Sequence, residues 1–221
     1  MNQSRPLALR RREVSVAPER LAMLGDAVFA IAITLLALDI KVPEGLHDSE
    51  VAHAVREVFP AIGAYLLSFA VIGVLWLTQH ALFTLVAEVD RWLLYLYFAL
   101  LAVVAALPFP TKLLSEYGET TTATACYSGA IALSLGLLCA MYLRLLTAPA
   151  LATPEANAGR LRKVVRDNLL VVLVFATAIP VAFWSPGLAK YWWLLSIPVR
   201  AVRRRPAETA AEAPAEAEPG N

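Results

Sequence analysis

Long apolar runs separated by short polar connections dominate the chain, and six can be drawn. The first covers 20–41, the second runs from about Val55 to Leu82, and the third follows Asp90 as RWLLYLYFALLAVVAALPFP. The fourth covers 120–146, the fifth 164–184 and the sixth, the shortest, 188–202. A helix rises about 1.5 Å per residue, so roughly 20 apolar residues cross the hydrocarbon core of a bilayer. The pattern therefore predicts an all-α membrane protein, with six transmembrane helices packed as one bundle over 20–205. Pro108 and Pro110 predict a kink or an end in the third span, because proline removes a ladder donor. A basic segment, 1–19, precedes the bundle. The Ala/Glu/Pro stretch 206–221 carries too little apolar surface to bury a core and is expected to be disordered.

The first run has two faces. With Ile31 as origin and about 100° per residue, Leu24 and Leu38 fall within about 20° of it. Leu35 lies within about 40° and Thr34 within about 60°, with Ala27 and Val28 filling the same stripe. Asp26 lies about 140° away, on the side of Phe29, Leu36 and Ile40. A period near 3.5 is the seam of a helix packing on another helix, commonly its own symmetry mate. It also suits several copies lining a pathway, because apolar constrictions gate conduction by dewetting. Periodicity leaves both readings open. Asp26 is costly in lipid and is expected to meet a neighbouring helix, with Arg20 and His80 as candidate partners in a structural polar network. Direct ion coordination or proton transfer by Asp26 is the sharper alternative.

Composition agrees with the runs. The chain has 221 residues, 59% hydrophobic and 17% charged, with a mean hydropathy of +0.61. Soluble domains sit near 45–50% apolar and about 25% charged. The net charge of +1 matters less than its segregation. With the N-terminus inside, 15 of the 19 lysines and arginines fall on the cytoplasmic side, leaving Lys41, Arg56, Lys112 and Lys190 outside. That bias predicts a multi-pass protein of the plasma membrane with both termini cytoplasmic, and it needs an even number of spans. The first run is too long for a signal peptide and ends in Asp39, Lys41 and Pro43 without a cleavage site, so it is expected to be retained.

Little suggests catalysis or metal binding. Cys126 and Cys139 share one apolar run and read as core thiols. Trp76 and His80 stand i, i+4 on one face of the second span, and no second histidine lies at metal-binding spacing. His47 and His53 belong to the polar stretch around GLHDSE. No phosphate loop, GxSxG or HExxH occurs, nor a TVGYG-type filter or an arginine voltage-sensor repeat. An enzyme is not expected.

The string RLAMLGD, Arg20 to Asp26, followed by AVFAIAITLLALDIKVP, resembles the first helix of the bacterial TMEM175 potassium-channel family. The likeness continues through SFAVIGVLWLTQH, with Trp76 and His80, and through DRWLLYLYFALLAVVAALPFPTKLLSEY. It covers roughly the first half of the chain; the later spans match only in number and character. Members carry Arg-x-x-x-Phe-Ser-Asp here. Arg20 and Asp26 match, whereas Leu24 and Gly25 replace the Phe and Ser. The resemblance implies a six-span subunit in a homotetramer, with the first helix of each subunit around a central pore. It implies a constriction at Ile31, further rings at Leu35 and Leu38, and a polar ring at Thr34. It also implies a modest preference for potassium over sodium, with potassium as the permeant ion and no cofactor. Partners are then other copies of the chain and membrane lipids, not nucleic acid. The pore reading of the stripe becomes the favoured one. If the family's Phe-Ser pair locks the inner end of the helix, Gly25 is expected to loosen it and to remove a hydroxyl partner; the alternative is that Leu24 extends the stripe one heptad inward.

The expected function is a passive, potassium-permeable cation channel. The alternative is a proton-coupled cation carrier relaying through Asp26 and His80, since histidine titrates in a useful range. One intramembrane acid and no visible inverted repeat weigh against it. A membrane scaffold or an enzyme subunit without transport activity is the third reading.

Overall fold

The computed structural model describes residues 17–45 and 47–196. Helix α1 (Pro18–Leu35) opens with Pro18, whose missing N–H costs nothing in a first turn, and ends in a 3-10 turn, Leu36–Asp39. A short polar helix, α2 (Asp48–Glu57), precedes α3 (Phe59–Phe83). Then follow α4 (Arg91–Ala106), α5 (Pro108–Tyr117), α6 (Thr121–Thr147), α7 (Ala158–Trp184) and α8 (Pro186–Trp192). Side-chain oxygens of Asp90, Thr120, Asn157 and Ser185 cap α4, α6, α7 and α8. Each takes up an N–H that the first helical turn leaves without a partner.

Among the described residues, five segments are long and apolar enough to cross a membrane: Pro18–Leu38, Phe59–Phe83, Arg91–Tyr117, Thr121–Thr147 and Ala158–Trp184. The second span begins at Phe59 and not near Val55, because Asp48–Glu57 folds as a helix of its own. The fifth span, on α7, starts six residues before 164, since Arg160, Arg162 and Lys163 form the polar first turns of that helix. LPFP kinks the third span without ending it. Leu107 N–H turns back to the Val104 carbonyl at 3.1 Å, and the ladder resumes from Thr111 N–H to the Leu107 carbonyl at 3.2 Å. The sixth predicted segment is described only to 196, as α8 and a 3-10 turn, Trp193–Leu195, packed back on α7. Residues 197–202, the Arg203–Arg205 cluster, the tail 206–221 and the basic residues of 1–16 lie outside the described residues.

The bundle is held from within by α6, which packs against α3, α4, α5 and α7. Three fully buried tyrosines tie helices together through their hydroxyls. Tyr97 of α4 donates to the Leu21 carbonyl of α1 at 2.9 Å. Tyr142 of α6 donates to the Thr78 carbonyl of α3 at 3.1 Å. Tyr127 of α6 lies 3.2 Å from the Ser68 hydroxyl, which lies 2.8 Å from that of Thr111. Between apolar helices such hydrogen bonds supply cohesion that the hydrophobic effect cannot supply in lipid.

At the arginine-rich end, two connections are strapped together. Ala87 N–H donates to the Leu151 carbonyl at 2.8 Å and Thr153 N–H to the Leu85 carbonyl at 2.9 Å. Asp90 caps α4 through Leu93 N–H at 2.9 Å and accepts Nε and Nη2 of Arg144 at 3.1 and 2.8 Å. Burial pushes the Asp90 carboxyl upward, but the Arg144 hydrogen bond and charge and the Leu93 and Trp92 amides hold it below the ordinary aspartate range. Cys126 and Cys139 are free thiols on α6, as their apolar setting predicts.

Candidate functional site

Helix α1 leans on α3 and α4 along one side only. Leu21, Gly25, Phe29 and Ala32, with Leu36 in the turn beyond, point inward and are buried. The opposite face is the stripe read from the periodicity. Leu24, Ile31, Leu35 and Leu38 stand 41%, 58%, 41% and 64% exposed, and Thr34 is exposed beside them. The Thr34 hydroxyl is already bonded to the Ala30 and Ile31 carbonyls, at 3.0 and 2.9 Å. Such back-bonding within a helix satisfies the hydroxyl at its own turn. The chain therefore presents a nearly pure hydrocarbon ridge that none of the described residues covers.

Asp26 has a partner, and it is neither of those expected. The indole Nε1–H of Trp76 on α3 donates to Oδ1 of Asp26 at 2.7 Å. The His80 ring stacks on Trp76 with centroids 5.5 Å apart. Trp76 therefore contacts both the acid and the histidine. Among the described residues neither Arg20 nor His80 bonds the Asp26 carboxylate; Arg20 is exposed in the first turn of α1. A tryptophan N–H is a donor that carries no charge, so a search for charged partners passes over it.

Gly25, next to Asp26, faces the other way and is buried. The expected loosening is replaced by a tight fit: a Cβ at this position would fall on the Tyr97 Oη atom. That hydroxyl also accepts from Gln79 Nε2 at 3.2 Å. Gln79 is fully buried, and its Oε1 has no partner among the described residues. The sequence offered no signal for this cluster, because its members come from three helices and no spacing rule joins them. A cavity of about 800 Å³ lies elsewhere, between α3, α5 and α7, with the Lys190–Glu119 ion pair on its wall. None of the stripe residues lines it.

Fold and site together define a multi-pass, helical membrane protein whose first helix shows an apolar ridge that no described residue covers. A family profile described as "Endosomal/lysosomal potassium channel TMEM175" matches residues 20–108, the stretch that carries both the ridge and the Asp26–Trp76 contact. A potassium channel of Streptomyces collinus is 39% identical over 193 residues, covering 81% of this chain and 93% of that one. The chain belongs to the TMEM175 family. The crystal structure of a lysosomal potassium-selective channel TMEM175 homolog from Chamaesiphon minutus aligns with a TM-score of 0.71 at 29% identity, over 84% of this chain and 97% of the other. The endosomal/lysosomal proton channel TMEM175 of Gallus gallus is 38% identical over 109 residues, 46% of this chain but 22% of its own length.

Proposed function

We propose that the chain is one subunit of a passive, potassium-permeable channel in the plasma membrane. It crosses six times, keeps both termini in the cytoplasm and assembles as a homotetramer with α1 of each subunit around the axis. The observation that carries this reading is the uncovered ridge Leu24–Ile31–Leu35–Leu38, back to back with the face that α1 buries on its own subunit. Four copies facing one another form rings of hydrocarbon. Ile31 is the constriction, Leu35 and Leu38 are further rings, and Thr34 supplies the polar position. A ring of methyl groups gates by expelling water from a narrow passage. It cannot replace a hydration shell as carbonyls do, so preference for potassium over sodium is modest.

Arg20, Asp26, Trp76 and His80 serve as scaffold in this reading, with Asp26–Trp76 fixing the inner end of α1 against α3. The carrier alternative needs a proton to pass between Asp26 and His80. Trp76 contacts both, donating to one and stacking on the other, and an indole is a donor only, so a direct Asp26–His80 hydrogen bond is replaced by contacts that relay no proton. The test is reconstitution in liposomes with opposing potassium and sodium gradients. A channel gives a zero-current potential displaced toward potassium equilibrium. Saturable uptake driven by a pH gradient and lost in Asp26→Asn would replace it with the carrier.

A further inference from the structure

Gly25 and Tyr97 form a matched pair. The Tyr97 Oη atom occupies the space where a side chain at position 25 would begin, and its ring carbon Cζ lies 3.1 Å from that point. From there the hydroxyl donates to the Leu21 carbonyl at 2.9 Å and accepts from Gln79 Nε2 at 3.2 Å. Leu21 is the residue four before Gly25 on α1. A serine at position 25 places its own hydroxyl against that same carbonyl, because helical serines bond back to the carbonyl at i−4. We propose that Tyr97 supplies from α4 the hydroxyl that position 25 lacks, and that Gly25 is glycine because it must admit it. Tyr97 is then a positioning residue for the inner end of α1.

Burial makes the anchor matter. Tyr97 and Gln79 are both fully buried, and Gln79 Oε1 already lacks a partner among the described residues. Removing the Tyr97 hydroxyl leaves the Gln79 amide with no partner at either end and the Leu21 carbonyl short of its second bond. The Leu21 carbonyl and Asp26 lie within about one and a half turns of each other, so α1 is pinned twice near its inner end, to α4 by Tyr97 and to α3 by Trp76. Two pins on different helices fix rotation of α1 about its axis, and that rotation sets where Ile31 points. The consequence for permeation rests on the channel reading; the shared hydroxyl does not.

The test is a cycle of four purified proteins: the parent, Gly25→Ser, Tyr97→Phe and the double variant. Each single change is expected to lower the thermal midpoint by about 5 °C, one by collision and one by lost hydrogen bonds. The double variant returns a hydroxyl from position 25 and is expected to regain most of the loss, and with it the parent's potassium-to-sodium permeability ratio. Gly25→Ala with Tyr97→Phe relieves the collision without restoring a hydroxyl, and is expected to stay below the serine double. If Gly25→Ser fails to fold alone but folds with Tyr97→Phe, the pairing stands. A double variant that loses as much as the two singles combined, that does not fold, or that is matched by the alanine version overturns it. A parent that conducts nothing would count against the channel reading, while the midpoints would still decide the pairing.

Discussion

Helices α1 and α7 are both thinly buried, 28% and 22% of their apolar windows, yet they expose different things. On α7 the outward residues include Leu169, Leu170 and Leu173 and, at one end, Phe183 and Trp184, 76% and 93% exposed. Aromatics at the end of an apolar face mark a helix that meets lipid and its headgroup boundary. The outward face of α1 has none: its single aromatic, Phe29, is 1% exposed and packed inside the bundle. What α1 shows instead is a narrow ridge of leucine and isoleucine at heptad spacing. Similar exposure hides two kinds of surface, one ending in aromatics as a lipid-facing helix does and one that the channel reading covers with another copy of itself.

The comparison breaks most sharply by placing the same polar side chain on each helix. Ile31→Asn on α1 is expected to raise conductance and relax the preference for potassium several-fold, with assembly intact by size-exclusion chromatography. Leu173→Asn on α7, equally outward, is expected to leave the permeability ratio of assembled protein unchanged. If both or neither alter the ratio, the ridge is ordinary lipid surface.

A smaller effect separates the ways the two helices are held. Trp76→Phe removes the indole donor to Asp26, and Trp192→Phe removes the one that meets the Thr177 hydroxyl of α7 at 3.1 Å. A bond to a carboxylate is worth more than one to a hydroxyl, so the first is expected to cost about 1 kcal/mol more in thermal unfolding. Asp26→Asn combined with Trp76→Phe is expected to cost little more than either alone.

The Asp90–Arg144 pair holds neither helix and serves as a control with its own pH signature. Arg144→Ala is expected to cost about 1 kcal/mol at neutral pH. The folded Asp90 carboxyl lies below its unfolded value of about 3.9, so its stabilisation is present above that pH and fades as pH falls through the folded value. The difference between parent and Arg144→Ala should be flat from about pH 7 to 5 and shrink below about pH 4. Least of all, Glu119→Gln at the exposed pair with Lys190 is expected to leave the thermal midpoint unmoved. Lys190 lowers the Glu119 pKa, but that carboxylate is open to solvent.

The ridge was legible because a heptad is a one-dimensional signal: Leu24, Ile31 and Leu38 declare their shared face by spacing alone. Five of the six predicted spans were legible for the same reason; the sixth is described only to 196, and α2 was missed because its polar turns look like a loop when only apolar length is scored. The partner of Asp26 was not legible. Trp76 stands fifty residues away, and a charge inventory points to Arg20 and His80 before it points to an indole. Gly25 misled for a related reason. A missing side chain reads as slack until the structure places the Tyr97 hydroxyl in the space it leaves.

That fifty-residue separation also imposes an order of events during synthesis. Asp26 leaves the ribosome with the first hydrophobic segment, long before Trp76 exists. The segment must enter the membrane carrying an acid that has no donor, at a penalty that is largest at mid-bilayer and smaller toward an end. Pro18–Leu38 meets that need by being the most apolar of the five spans, and by carrying its acid in the first half. The partnership between α1 and α3 is thus a late repair, made once the second segment has been threaded. An early truncation product of this protein would hold its first helix in the bilayer by greasiness alone.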